Sequence, residues 1–208
     1  MADNKIQKTI KYDDFRGETG LKDYGKNDVS SSCNFNVRLG LLNIRSIVSK
    51  YDRIYEIIHD GLDLLILTET WHRSHDEISV RWAMPPYYNF IDFVRPHDPH
   101  HGGIIIYFRN NFCGKKIELP IMTTFESLAL KLTIDNSNVV LLSIYRPGSA
   151  PISPLFYDEL INLFDIITMM SCNIVIAGDF NVHMERFDDH HTVSLLDLFD
   201  IFGLKNSH

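Results

Sequence analysis

Six polar residues stand where apolar runs of the sequence end: Asn43 after Leu-Gly-Leu-Leu, Glu69 after Leu-Leu-Ile-Leu-Thr, Tyr145 with Arg146, and Asp179 with Asn181 after Ile-Val-Ile-Ala-Gly. A carboxylate leaving such a run has lost much of its water, and a cation or a hydrogen-bonded partner most readily offsets that cost. Carboxylate and amide oxygens suit a hard divalent ion. Taken singly, each has a plainer explanation: Asp179 as a turn residue in Gly-Asp-Phe-Asn, Glu69 as a cap of the next segment, Asn43 as an Asx turn. Strand ends converge on one rim of a sheet, so their recurrence at successive ends argues for a shared site.

The elements that must position them follow from hydrophobic period. Val37, Leu39 and Leu41 alternate with polar or small residues in a strand ending at Asn43. Ile54, Tyr55, Ile57 and Ile58 recur at helical spacing, with Ser49 as the expected cap and Gly61 as the stop. Leu62 to Leu67 has the length of a buried strand and delivers Glu69. Three more strands, Gly103 to Phe108, Leu128 to Ile134 and Val139 to Tyr145, read as a β meander. Ser153-Pro154 opens a helix running to about Met170. A strand from Asn173 to Ala177 leads to Asp179, and a last helix spans Thr192 to Phe202. Apolar strands with helices outside suggest two packed sheets flanked by helices, an α/β architecture.

The chain has 208 residues, 45% of them hydrophobic, enough for one core. Its 27 Asp and Glu against 20 Lys and Arg leave a net charge of −7, which argues against coating nucleic acid by bulk charge. It does not exclude a nuclease, because carboxylates that hold a metal make a site acidic. Residues 1–36 balance six basic against six acidic residues and end in a serine run, the composition of a flexible polar leader, so the domain is expected over 37–208. Cys33, Cys113 and Cys172 show no Cys-x-x-Cys or zinc spacing; buried free thiols without a disulfide partner, in a reducing intracellular compartment, are expected. No secretory signal is visible at the start, and the most apolar helical stretch, Leu155 to Met170, is interrupted by Asp158, Glu159 and Asp165, so no membrane contact is expected.

Leu42-Asn43-Ile44-Arg45-Ser46, Leu67-Thr68-Glu69-Thr70-Trp71, His101-Gly102-Gly103-Ile104, Ile144-Tyr145-Arg146-Pro147 and Gly178-Asp179-Phe180-Asn181 together resemble the successive motifs of the endonuclease/exonuclease/phosphatase family. Within it they look most like the endonuclease domain of non-LTR, LINE-type retrotransposons, on the Asn-Ile-Arg-Ser and Tyr-Arg-Pro wording. The resemblance implies a four-layer α/β/β/α sandwich, DNase I-like, that cuts DNA phosphodiesters with Mg²⁺, for which Mn²⁺ can stand in. It makes Glu69 the main metal ligand with Asn43 beside it and Asp179 close by. Tyr145 would then hydrogen-bond the scissile phosphate, Asp179 orient or deprotonate the attacking water, and Asn181 position the water or the phosphate. Arg146 is either a phosphate clamp or a structural residue, and His183 a candidate substrate contact. A downstream reverse transcriptase in a longer parent is the partner this branch implies.

The family usually ends with further strands and a Ser-Asp-His motif, whose histidine contacts the reacting phosphate. Here the sequence stops at Lys205-Asn206-Ser207-His208, directly after the last expected helix, so a fold lacking its final strands and a weak or inactive fragment are expected. Two alternatives stand beside the DNA-nicking reading: a non-catalytic remnant or binding module, and a phosphatase or phospholipid phosphodiesterase of the same fold. The histidine-rich stretches His97–His101 and Asp188–His191 are expected to be solvated loops, and Trp71 and Trp82 packing residues rather than base-stacking platforms.

Overall fold

The computed structural model describes residues 37–134, 136–170, 173–184 and 186–204. The leader expected over 1–36, Cys33, Cys172 and the final Lys205-Asn206-Ser207-His208 lie outside these residues. Twelve elements follow in the order β1 (Leu39–Asn43), α1 (Tyr51–His59), β2 (Leu64–Thr68), α2 (Ile78–Trp82), β3 (Tyr88–Phe93), β4 (Ile104–Arg109), β5 (Cys113–Ile117), β6 (Glu126–Ile134), β7 (Ser137–Tyr145), α3 (Pro154–Thr168), β8 (Ile174–Asp179) and α4 (His190–Ile201).

The strands form two mixed four-stranded sheets, ordered β1-β2-β4-β3 and β5-β6-β7-β8. In each, a parallel pair, β1 with β2 or β7 with β8, joins antiparallel neighbours. The period-2 alternation decides the layers. Leu64, Ile66, Ile104 and Ile106 of the first sheet face Leu128, Leu130, Leu132 and Leu141 of the second in a shared inter-sheet core. The alternate residues Leu65, Leu67, Ile105 and Tyr107 turn outward against Ile54 and Ile58 of α1 and Val80 of α2. On the other side Val140, Leu142 and Ile144 pack on Phe156, Leu160, Leu163 and Phe164 of α3 and Leu195 of α4. The result is the expected four-layer sandwich with helices outside both sheets.

Several local expectations are corrected. Helix α1 begins after Lys50, not Ser49, and Lys50 Nζ instead donates to the carbonyls of Ile44 and Arg45, tying the helix entry back to the end of β1. The three middle strands are no meander: β4 joins the first sheet through β2, while β6 and β7 belong to the second. Strands β3 and β5 and the five-residue α2 escape the hydrophobic pattern, because each is short and half turned to water. Asp189 to His191 is not a solvated loop; Asp189 caps α4 by accepting from the Thr192 N–H, and the two histidines form its first turn. Cys113 lies exposed on the edge strand β5 rather than buried. Among the described residues no helix is long and apolar enough to cross a membrane.

Gly178 pairs with Ile144 in the parallel β7–β8 ladder. A Cβ there would overlap the Ile144 carbonyl oxygen and lie 2.8 Å from its carbon, so backbone must move. Gly178→Ala is therefore expected to lower stability by about 1–3 kcal/mol or more. In Gly40→Ala the new methyl meets only the tips of the Leu62 and Leu65 side chains, at 2.8 and 3.0 Å, and should cost less. Urea unfolding of the two variants checks this; an unchanged midpoint for Gly178→Ala contradicts it.

Candidate active site

Strand parity brings the polar residues together. Asn43 is two residues beyond Leu41, Tyr145 lies on the Leu141 face of β7, and Asp179 is two residues beyond Ala177, so all three continue the inner faces of their sheets to the rim. Register brings them level: Asn43 pairs with Thr68, and Tyr145 with Asp179. Glu69 is one residue past Thr68 and by alternation belongs on the opposite face. Its backbone instead turns left-handed, at φ 52°, which breaks the alternation and returns the carboxylate to the inner side.

One amide then joins the two sheets. Asn43 Nδ2 donates to Glu69 Oε1 at 2.7 Å and to Asp179 Oδ2 at 3.1 Å. Burial, together with the charge of the Glu69 carboxylate, pushes the Tyr145 phenol well above its ordinary range, so it stays a protonated donor. Asp179 Oδ1 accepts from the Asn181 N–H at 3.0 Å. Arg45 Nε stands 3.9 Å from Glu69 Oε2, but its side chain is 74% exposed, so this ion pair is weak. Asn43, Glu69, Asp179 and Asn181 thus form one hydrogen-bonded set, with Tyr145 beside it as the register partner of Asp179.

Arg146 is not a phosphate clamp here. It is 5% exposed, and its guanidinium donates to the carbonyls of Phe180 (2.7 Å), Pro147 (3.1 Å), Ala150 (2.7 Å) and Asn181 (2.8 Å). Asn181 returns a bond from Nδ2 to the Arg146 carbonyl at 2.6 Å. The charge is used to hold the loop that carries Asn181, at φ 50°. His183 lies beyond that loop, where its carbonyl accepts from Thr192 Oγ1 at 3.0 Å. With Asn181, Arg186 and His191 it lines an open 410 Å³ cavity beside the rim.

The sequence reading missed a buried polar network on the other flank. His72, 1% exposed, bonds Thr70 Oγ1 through Nδ1 at 2.6 Å and Asp92 Oδ2 through Nε2 at 3.1 Å, and His75 Nδ1 reaches the same oxygen at 2.7 Å. Burial pushes the Asp92 carboxyl up, but the bonds from His72 and His75 outweigh it and hold the group below its usual range. Glu126 pairs with Arg95 and accepts from the Gly103 N–H at 2.7 Å; burial raises its carboxyl, with Arg95 opposing. Glu126 is also the register partner of Tyr145. The Gly102-Gly103 pair was the available signal: both lie at positive φ, and a side chain at either would strike this network.

The residues fit a divalent cation. Asn43 Oδ1 is buried and has no hydrogen-bond partner among the described residues, and it sits on the amide that both carboxylates share. The donors are hard oxygens throughout. Among the described residues no cluster of three or more His, Cys, Asp or Glu side chains could hold a metal, so the candidate centre is this mixed set of two carboxylates and an amide. A divalent ion at about 100 times its dissociation constant should stabilise the fold by about 2.7 kcal/mol. Melting of the full chain with and without Mg²⁺ should show the shift, and Glu69→Gln should abolish it; an equal shift in the variant would place the ion elsewhere.

Relatives of known structure share the arrangement of sheets. The endonuclease domain of TRAS1, a telomere-specific non-LTR retrotransposon, superposes with a TM-score of 0.57 at 14% identity, over 80% of this chain and 71% of that one. An AP endonuclease from Leishmania major gives 0.62 at 13% identity, over 79% and 66%. A mannosyl-6-phosphatase from Bacteroides thetaiotaomicron gives 0.53 at 14%, over 76% and 70%. No curated protein sequence matches the chain. The sequence signature of the endonuclease/exonuclease/phosphatase family matches residues 33–203, which takes in every element from β1 to α4, and the chain belongs to that family.

Proposed function

We propose that the chain is the core of a Mg²⁺-dependent, DNA-nicking endonuclease of the retrotransposon type. Members of the family are hydrolases acting on phosphodiester bonds and generally use divalent metals. The observation that carries the reading is the Asn43 amide, which bonds carboxylates from both sheets while its own oxygen is buried without a partner. The Asn-Ile-Arg-Ser and Tyr-Arg-Pro motifs favour DNA over other phosphodiesters, and Mn²⁺ is the natural substitute for Mg²⁺.

Each residue has a task. Glu69 and the Asn43 Oδ1 atom are the ligands of choice for the ion, which when bound supplies Lewis acidity at the phosphoryl oxygens and offsets charge on the leaving oxygen. Asp179 remains hydrogen-bonded to Asn43 and to the Asn181 backbone, an orientation that lets it take the proton of an attacking water. Asn181 gives its Nδ2 to Arg146, which leaves Oδ1 to orient that water. Tyr145, protonated at neutral pH, can donate its hydroxyl to a non-bridging phosphate oxygen.

The fold by itself also serves a mannosyl-6-phosphatase, so phosphate-monoester hydrolysis is the second reading. Supercoiled-plasmid nicking in Mg²⁺, run beside phosphate release from mannose 6-phosphate, separates the two. Nicking that EDTA stops and that Asp179→Ala lowers by about 10²- to 10⁴-fold, with the melting temperature kept, is the expected result. Phosphate release without nicking, or a variant retaining more than roughly a tenth of the activity, contradicts the proposal.

A further inference from the structure

Trp71 has no part in the chemistry just described. It is half-buried, yet it belongs to none of the three apolar clusters that make up the core. Its backbone is left-handed, at φ 48°, a conformation that a bulky side chain adopts only when its surroundings impose it. The imposing contacts are visible. Its N–H donates to the Gly102 carbonyl at 2.9 Å, and the residues on either side, Thr70 and His72, are buried and bonded to each other, His72 also to Asp92. The backbone that carries the indole is therefore held from both sides, while the ring itself stands outside the three apolar clusters.

Its position is as specific as its conformation. Trp71 follows Glu69 by two residues, which limits the separation of their backbones to about 7 Å. Its ring partner is His101, with centroids 5.6 Å apart and planes at 66°. His101 is braced in turn: Nδ1 meets the Asp98 carboxylate at 3.0 Å, Asp98 lies 3.9 Å from Arg95, and Arg95 is tied to buried Glu126. An indole held beside a phosphodiester centre is the kind of surface on which an unstacked base can stack.

We infer that Trp71, braced by His101, is a stacking platform for an unpaired nucleobase next to the scissile phosphate. The substrate class becomes a polynucleotide whose base at the cut site is free to leave its stack, such as a single-stranded or frayed segment. This rests on the nuclease reading of the same rim. Stacking is sequence-tolerant, so the platform would favour open structure over any particular base.

The chain has two tryptophans, so Trp82→Phe leaves Trp71 as the only indole emitter. In Ca²⁺, a short oligothymidylate should quench that emission saturably, and an oligomer of abasic residues of equal length should bind about 5- to 100-fold more weakly. By anisotropy with a labelled oligothymidylate, Trp71→Ala should lose a similar factor and Trp71→Phe should keep most of the affinity, with unchanged melting in both. Equal quenching by the two oligomers, quenching by mannose 6-phosphate instead, or wild-type affinity in Trp71→Ala overturns the inference. The outcomes separate cleanly from catalysis: plasmid nicking without base-dependent quenching leaves the nuclease reading and removes the platform. Base-dependent quenching without nicking does the reverse.

Discussion

The packing of the two inner sheet faces on each other is the constraint on which the rim depends. Leucine and isoleucine side chains of β2, β4, β6 and β7 fill the space between the sheets and fix their separation. Once it is fixed, the ends of β1 and β8, from different sheets, lie close enough for one asparagine amide to bond both Glu69 and Asp179. The arrangement has no local origin, since Asn43 and Asp179 are 136 residues apart in sequence. Slippage of β8 by one residue against β7 would turn Asp179 away from the inner face, and the close approach of Gly178 to Ile144 opposes such slippage.

Backbone strain collects at the same rim. Arg45, Ser46, Glu69, Trp71 and Asn181 are all left-handed without being glycine. Such residues cost on the order of 1–3 kcal/mol each and persist where the surroundings overdetermine them. Here the N–H groups of Ser46 and Ile47 bond the carbonyls of Glu69 and Thr70, and those of Thr70 and Trp71 bond Gly103 and Gly102. The segment carrying Glu69 is held from both sides, so the carboxylate is oriented before any ligand arrives.

Three buried charged residues, on two flanks of the rim, share the work of support. Arg146 satisfies four carbonyls around the Asn181 loop. On the opposite flank, Glu126 and Asp92 gather Arg95, His72, His75 and the Gly103 N–H. Charges so placed are tolerated because nearly every lone pair and donor has a partner. They lend rigidity to loops that apolar packing does not reach.

Alternation and helical spacing are local properties, and through them the sequence alone determined β2, β6, β7, α3 and the strand ends that carry Asn43, Glu69, Tyr145 and Asp179. The same locality explains what it left undecided. Strand β5, Cys-Gly-Lys-Lys-Ile, is a solvated edge with no apolar period, and α2 is too short to show one. Allotting β4 to the first sheet depends on its pairing with β2, some forty residues back, which no local pattern encodes. Arginine after a strand reads equally as an anion clamp or a scaffold; only the four carbonyls folded around Arg146 made it a scaffold. His72 and Asp92 carried no motif at all, because a buried pair becomes a unit only when β3 sets the carboxylate beside the imidazole. Residue type and period fixed which groups reach the rim, and tertiary packing, which alone sets distance and desolvation, decided what each one does there.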